Sequence, residues 1–199
     1  MRASEQRRAD VAQQRRLWKE KISGVDPSRL VFLDETGAKT NLTRLWARSR
    51  KGQRAIGYAP HGHWHTTTLV AGLTLDGAIA PMVLEGAMDR LSFEAYVAQG
   101  LAPALAAGRI VVMDNLSAHK SPAISRLLEA AGATVWYLPP YSPDYNPIEP
   151  MWSKVKAALQ RAGARTYDAL VDAIAHALDG VSPQDSHGFF HHCGVGVKC

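Results

Sequence analysis

The sequence is poor in cysteine, in long apolar runs and, over one segment, in acidic residues. Its two cysteines, Cys193 and Cys199, both lie near the C-terminus, which argues against a disulfide framework. No stretch approaches the roughly 18 apolar residues that a membrane span requires. The charged start, MRASEQRRADVAQQRR, has no apolar segment of the kind found in secretory signals. These absences predict a globular protein of the cytoplasm that does not interact with membranes.

Acidic residues are missing from residues 39–54, which carry six cations: Lys39, Arg44, Arg48, Arg50, Lys51 and Arg54. Residues 1–30 are also basic, with eight Lys or Arg against four Asp or Glu, in a chain of formal net charge +5. Two interpretations are open for these segments. They can be ordinary solvated surface, or they can follow the phosphates of a nucleic acid.

Short apolar runs that end in turn residues predict the strands. They are RLVFLDETG (29–37), two β-rich runs within 65–86 that turn at Asp76-Gly77, RIVVMDN (109–115) and TVWYLPP (134–140). Apolar residues at helical spacing, with caps and stops around them, predict the helices. They are a polar helix over 3–21, one from Ser92 towards Ala107 that Gly100 or Pro103 divides, one from Ser121-Pro122 to Gly132, one through Met151 to Gly163, and one that begins after Thr166.

Strands that are joined through helices imply a mixed sheet with helices on its faces, which is an α/β fold. The 199 residues fit one domain. We interpret residues 1–29 as a basic helical arm or residual linker that lies apart from the core, and residues 30–199 as the folded domain.

Three acidic residues stand where sites collect in α/β proteins, near the carboxyl ends of strands. Asp34 and Asp114 end two predicted strands, and Glu149 stands between the stiff loop LPPYSPDYNPIEPMW (138–152) and a helix. Three carboxylates brought together need cations at neutral pH. Mg²⁺ prefers such oxygen ligands, and a pair of these ions can activate a nucleophile and stabilise the leaving oxygen of a phosphodiester.

Each acid also has a simpler explanation. A strand-end Asp often serves only a turn. Asn146 and Glu149 have the spacing of a capping box, although Pro150 favours a helix that starts at residue 150 and leaves Glu149 at its boundary. Three nearby side chains compete for the same role: Glu35, Asn115 and Asp144.

Four segments, in this order, resemble the DDE transposases of the insertion-sequence family IS630, relatives of the Tc1/mariner elements. They are LVFLDETG, HGHWHTTTLVAGL, IVVMDNLSAHK and LPPYSPDYNPIEPMWSKVK. The resemblance covers roughly residues 30–195, and 34 residues lie between Asp114 and Glu149, as in the second interval of the Tc1-type pattern.

The resemblance implies an RNase H-like DDE catalytic domain in which Asp34, Asp114 and Glu149 hold two Mg²⁺ or Mn²⁺ ions. It implies DNA as the partner: the element ends are hydrolysed, and the freed 3′-hydroxyl attacks target DNA. Because this reaction acts on two element ends, a homodimer is expected. Residues 1–30 and 39–54 are then the expected DNA backbone contacts, and the stiff loop lowers the entropy lost when Glu149 takes its place.

Four side chains near these motifs are open to two interpretations each. Asn115 and His119, within DNLSAHK, can orient the metal ligands or contact DNA, or they can merely form a turn. Tyr141 and Tyr145 can pack the stiff loop down or stack on a base.

Two histidine-containing segments suggest a metal only weakly. The alternating His61, His63 and His65 lack Cys or acid partners at suitable spacing for zinc, and contact with a substrate phosphate is the alternative. The segment His191-His192-Cys193, with Cys199, is more typical of a loose tail than of a metal site.

The chain departs from the family pattern at two places. About 30 residues precede the first strand, too few for the helix-turn-helix of relatives and a linker. We therefore expect a separate helix-turn-helix polypeptide to supply end recognition, unless the chain is a shortened piece or a truncated remnant. Pro150 stands where a polar residue follows the family's NPIE, and we expect it to shift the helix start and slightly misplace Glu149.

Two other functions remain open. The chain can be a catalytically silent remnant that binds DNA or regulates a partner. It can also be a structure-selective nuclease that cleaves DNA without strand transfer.

Overall fold

Five strands form one mixed sheet in the order β3-β2-β1-β4-β5 in the computed structural model, which describes residues 4–44, 46–58, 60 and 67–196. The strands are β1 (Leu30–Ala38), β2 (Thr67–Thr74), β3 (Gly77–Glu85), β4 (Ile110–Met113) and β5 (Thr134–Tyr137). β4 pairs in parallel with β1 and β5, whereas β2 pairs antiparallel with β1 and β3. The predicted mixed sheet and the hairpin at Asp76-Gly77 are confirmed.

Seven α-helices surround the sheet within the described residues: α1 (Ala9–Ser23), α2 (Arg90–Tyr96), α3 (Ala102–Ala104), α4 (Pro122–Ala130), α5 (Ile148–Ala162), α6 (Tyr167–Asp179) and α7 (Pro183–His192). None of these helices is both long and apolar enough to cross a membrane.

Alternation along β1 sends side chains to both faces of the sheet, and both faces are buried. Leu30 and Phe32 pack on one face with residues of α1, α5, α6 and α7. Val31 and Leu33 pack on the other face with residues of α2, α4 and the turn that follows α2. Helices therefore cover both faces, as predicted from the order of strands and helices.

Several predicted helix ends are confirmed, because their signals are local. Ser121 and Thr166 accept hydrogen bonds from the N–H groups of Ala123 and Ala169, and Gly163 adopts the left-handed conformation that ends α5.

The prediction that a helix begins after Ser92 is wrong. Asp89 is the cap and accepts the Ser92 N–H at 2.7 Å, so α2 starts at Arg90. Asp caps a helix as well as Ser does, and the carboxylate three residues earlier prevails. The helical segment ends at Ala104 rather than Ala107, and a π-helical turn over Val97–Leu101 divides it near Gly100, as expected.

The expectation that residues 1–29 lie apart from the core is wrong for α1. Val11, Trp18 and Ile22 are buried, and the Trp18 ring meets Trp136 of β5 edge to face at 6.1 Å. A helix that is polar on most sides can still bury one narrow stripe, and these few apolar residues suffice. The division of the chain between residues 29 and 30 stays a prediction.

The expectation of a loose tail at residues 191–193 is also wrong. Ser182 and Asp185 form a capping box that begins α7, Phe190 packs edge to face on Phe32 at 5.3 Å, and Cys193 is buried. Cys199 lies outside the described residues.

Candidate active site

Asp34 lies on β1, and Asp114 directly follows the neighbouring parallel strand β4. Phe32 of β1 pairs with Val112 of β4, and each aspartate follows its paired residue by two positions. Period-two alternation puts Asp34 on the face of Phe32. The prediction that Asp34 ends its strand is wrong, because β1 continues along the antiparallel β2 to Ala38 after β4 has ended. Asp114 does follow the last residue of β4.

Glu149 reaches the same region from α5. The helix begins at Ile148, so Glu149 lies in its first turn and not before it, and the predicted start at Pro150 is wrong. Proline is tolerated there because the first-turn N–H groups have no intrahelical acceptor. The alternative capping box does not form: the Glu149 N–H bonds the backbone carbonyl of Asn146 at 3.1 Å.

The three acids line one open cleft of about 450 Å³. Its remaining wall consists of Asn115, Leu116, Asn146 and the loop residues Leu138, Pro139, Pro140, Tyr141, Ser142 and Pro143. Within the part of the chain that the structure describes, no three His, Cys, Asp or Glu side chains are already arranged to hold a metal ion. The acids share the cleft without meeting at one point.

Burial is the main cause that raises the pKa of Asp34 to about 7, and the nearby carboxylates of Glu149, Asp114 and Glu35 raise it further. The backbone N–H of Glu35 partly offsets this shift. The negative charge of Asp34 is therefore poorly compensated, and the carboxyl is only about half ionised at neutral pH. A divalent cation would relieve both the desolvation and the repulsion.

His119 bridges two carboxylates beside this cleft. Its Nδ1 lies 2.7 Å from Asp114 Oδ1, and its Nε2 lies 3.1 Å from Glu35 Oε1. Burial lowers the pKa of His119, but its hydrogen bonds to Asp114 and Glu35 outweigh burial and raise the pKa to about 9. A doubly protonated ring donates at both ends, so the two carboxylates hold the imidazolium in place.

Asp114 is fixed by the same bridge. Burial would raise its pKa, but the hydrogen bonds from His119 and from the Leu116 N–H lower it overall. Both of these bonds reach Oδ1. The carboxylate stays ionised, and among the described residues no hydrogen bond reaches its other oxygen, Oδ2.

Two of the three competing side chains, Glu35 and Asp144, are engaged in ion pairs outside the triad. Glu35 is bonded to His119. Asp144 is paired with Arg15 at 2.6 Å. Asn115 is exposed and lines the cleft, so it remains a candidate for substrate contact.

The two tyrosines of the loop behave differently. Tyr145 is buried, with the Arg15 guanidinium 4.1 Å from its ring centroid, so it packs the loop down. Tyr141 lines the cleft and is 48% exposed, which leaves its ring accessible to a substrate.

The six predicted DNA-contacting cations are all exposed: Lys39, Arg44, Arg48, Arg50, Lys51 and Arg54. They lie on an irregular segment between β1 and β2 that also exposes Trp46 at 89% and Tyr58 at 95%. The expected DNA contacts did not include these two aromatic side chains, although an aromatic residue among cations is a signal for nucleic-acid stacking. His61, His63 and His65 lie outside the described residues.

The sheet order, the helices on both faces and the carboxylate-lined cleft beside β1, β4 and α5 define an RNase H-like fold. A family model described as DDE superfamily endonuclease matches residues 29–171. The chain belongs to this family of endonucleases, and all three acids lie within the matched region.

Solved structures of Mos1 share the fold. The chain superimposes on the Mos1 mariner paired-end complex with Mn at a TM-score of 0.75, with 18% identity, over 98% of this chain and 61% of that one. For the Mos1 strand transfer complex the TM-score is 0.74 and the identity 18%, over 98% of this chain and 60% of that one. For the Mos1 transposase catalytic domain with Raltegravir and Mn the TM-score is 0.67 and the identity 14%, over the full length of both chains.

The chain thus spans about three fifths of the length of the Mos1 chains in the paired-end and strand transfer complexes. At these identities the likeness shows the fold alone. No curated protein is significantly similar to the chain in sequence.

Proposed function

We propose that the chain is the catalytic domain of a DNA transposase, which cleaves phosphodiesters at element ends and transfers the freed 3′-hydroxyl into target DNA. The observation that carries this proposal is the convergence of Asp34, Asp114 and Glu149, from two strands and one helix, on one cleft. Membership of a DDE endonuclease family and the fold shared with the Mos1 transposase catalytic domain support it.

The donor set fits two Mg²⁺ or Mn²⁺ ions. It consists of carboxylate oxygens, which hard cations prefer, and the raised pKa of Asp34 marks an uncompensated negative charge. Asp34 and Asp114 would share the ions, and Glu149 would complete the second site. When bound, the ions supply activation of the attacking oxygen and stabilisation of the leaving one.

Residues outside the triad would orient its carboxylates and bind the DNA. His119 holds Asp114 in the ionised form and fixes its orientation. The exposed cations of residues 39–54, together with the basic segment 1–30, would bind the DNA backbone. Water, and then the DNA 3′-hydroxyl, serves as the nucleophile, so no covalent bond between DNA and protein forms.

The partners follow from this chemistry. DNA is both the donor and the target. A homodimer would bring two ends together, and a separate helix-turn-helix polypeptide would supply sequence recognition. The reaction would take place at the nucleoid of a bacterial cytoplasm.

The test is a nicking assay on supercoiled plasmid with Mg²⁺ or Mn²⁺, comparing the wild-type chain with Glu149→Gln and Asp34→Asn. We expect each substitution to lower the rate by about 100-fold or more. Glu129→Gln, an equivalent change at an exposed residue of α4, should nick like the wild type.

The same assay separates the alternatives. If the wild type and Glu149→Gln nick equally, the activity does not belong to this cleft. If neither nicks, the silent remnant is the better interpretation. Following a labelled, pre-cut 3′-end into plasmid distinguishes a transposase, which joins the two DNAs, from a nuclease, which does not.

A further inference from the structure

Arg15 of the N-terminal helix binds the loop that leads to Glu149. Arg15 of α1 donates from Nη1 to Ser142 Oγ at 2.7 Å and to Asp144 Oδ1 at 2.9 Å. Its Nη2 donates to Asp144 Oδ2 at 2.6 Å. The guanidinium also lies over the Tyr145 ring, so a single side chain holds three residues of the loop.

This grip defines both the position and the direction of the loop. The fork of two parallel bonds to one carboxylate fixes orientation as well as distance. The Arg15 side chain is only 14% exposed, and Ser142 and Tyr145 are buried. The Asp144 side chain is 40% exposed, so water is excluded mainly from the bond to Ser142 and competes more for the two bonds to Asp144.

A second side chain from the same end of the molecule holds a strained point of the loop. Tyr141 has a φ of 54°, in the left-handed region that residues other than glycine rarely adopt. Its carbonyl accepts a hydrogen bond from Gln6 Nε2 at 2.7 Å, and Gln6 also reaches Asp144 Oδ1 at 3.3 Å. Strained backbone persists where surrounding contacts over-determine it, and α1 and its preceding turn provide them.

The fixed part of the loop is connected to Glu149 by successive turns. Tyr145 N–H bonds Ser142 O, Asn146 N–H bonds Pro143 O, and Glu149 N–H bonds Asn146 O, at 3.1, 3.0 and 3.1 Å. Each bond ties a residue to one three positions earlier. A displacement of residues 142–145 would therefore move the first turn of α5.

The other end of this connection is anchored in the core. Val11, Trp18 and Ile22 are buried, and Trp18 packs on Trp136 of the sheet. α1 is thus packed on the sheet, whereas the loop is not part of the sheet. Arg15 connects the two.

We propose that Arg15 is a positioning residue for Glu149: through Ser142, Asp144 and Tyr145 it places the third carboxylate opposite Asp34 and Asp114. This inference rests on the proposed function, in which Glu149 is a metal ligand. It also assigns Asp144 a role, because a carboxylate engaged by Arg15 holds the loop and does not compete with Glu149.

The first experiment follows amide hydrogen exchange of the full chain without metal, comparing the wild type with Arg15→Ala. We expect exchange at Tyr145 and Asn146 to become about 10-fold faster. Arg16→Ala is the matched control, since this neighbour is exposed and, among the described residues, the hydrogen bonds and ion pairs to the loop from α1 come from Arg15. Asp144→Asn breaks the same pair from the other side and leaves α1 intact, so it serves if Arg15→Ala does not fold.

The second experiment measures Mn²⁺ binding by electron paramagnetic resonance. Arg15→Ala and Asp144→Asn should bind Mn²⁺ about 10-fold more weakly, as changes behind a ligand do, and Arg16→Ala should bind like the wild type. Arg15→Lys keeps the charge but loses the fork, so it should recover only part of the affinity.

The outcomes separate this inference from the proposed function. Unchanged exchange in Arg15→Ala, or faster exchange with unchanged Mn²⁺ affinity, overturns the positioning role. A wild type that binds Mn²⁺ but neither nicks nor joins DNA overturns the proposed activity, while the exchange and binding comparisons still decide the role of Arg15.

Discussion

His119 Nδ1 lies 2.7 Å from Asp114 Oδ1, and the imidazole is buried with only 3% of its side chain exposed. The ring also stacks on Phe93 with centroids 4.4 Å apart. A histidine five residues beyond an acid therefore fixes that acid in the direction of the cleft, and it carries a positive charge into a region of several carboxylates.

We expect His119→Gln to destabilise the protein by about 3 kcal/mol near pH 6, because it leaves the carboxylates of Asp114 and Glu35 without their cationic partner. Denaturant unfolding of the two proteins measures this. An equal stability of wild type and variant would contradict an ionic bridge.

The contribution of His119 should depend on pH in one direction. Its folded-state pKa is raised from 6.5 to about 9, so its stabilisation is fully present below pH 6.5 and is lost as the pH rises through 9. The stability difference between wild type and His119→Gln should therefore shrink between pH 6.5 and pH 9. A difference that grows over this range would refute the assignment.

Asp34→Asn should stabilise the metal-free protein while it abolishes nicking. The folded-state pKa of Asp34 is raised from 3.8 to about 7. The stability linked to its protonation is thus present below pH 3.8 and lost as the pH rises through 7. In EDTA at pH 8 we expect the variant to be more stable by about 1–2 kcal/mol, and at pH 4 the difference should nearly vanish. Unfolding curves at the two pH values test this.

Divalent cations should make the wild type more stable than Asp34→Asn. A ligand present at about 100 times its Kd adds roughly 2.7 kcal/mol to the stability of the state that binds it. Mn²⁺ should therefore raise the Tm of the wild type and of Glu129→Gln, and leave Asp34→Asn and Glu149→Gln nearly unchanged. An equal rise in all four proteins would place the ions elsewhere.

Gly72→Ala should destabilise the sheet by about 1–3 kcal/mol, because a β-carbon there would lie 2.9 Å from Val31 Cγ1 and 3.0 Å from Ile79 Cγ1. Gly37→Ala is the control, since a β-carbon at that strand position meets nothing within 4 Å. Thermal unfolding of both variants measures the contrast. A larger loss for Gly37→Ala would refute the packing argument.

The fold was largely readable because its signals are local. The strands appeared as apolar runs, and the caps at Ser121 and Thr166 and the stop at Gly163 lie within a few residues of the backbone groups they satisfy. The errors arose where two local signals competed. Asp89 prevailed over Ser92 as a cap, and the helix that carries Pro150 began two residues earlier than the proline indicated.

The site was only partly readable. Its three acids could be proposed because two of them follow apolar runs, the third adjoins a helical pattern, and all three match a family pattern. The bridge from His119 to Glu35 and the grip of Arg15 on Asp144 join residues 84 and 129 positions apart. No periodicity or spacing along the chain marks such pairs.

By itself, the amino-acid sequence determined the continuous apolar strands that fill both faces of the sheet, several helix ends and the candidate acidic residues, since these follow from side-chain chemistry over a few neighbouring positions. Only the tertiary structure decided which carboxylates line the cleft and which are engaged by cations. That choice depends on burial and on contacts between distant segments, and these exist only after the sheet and its helices have packed.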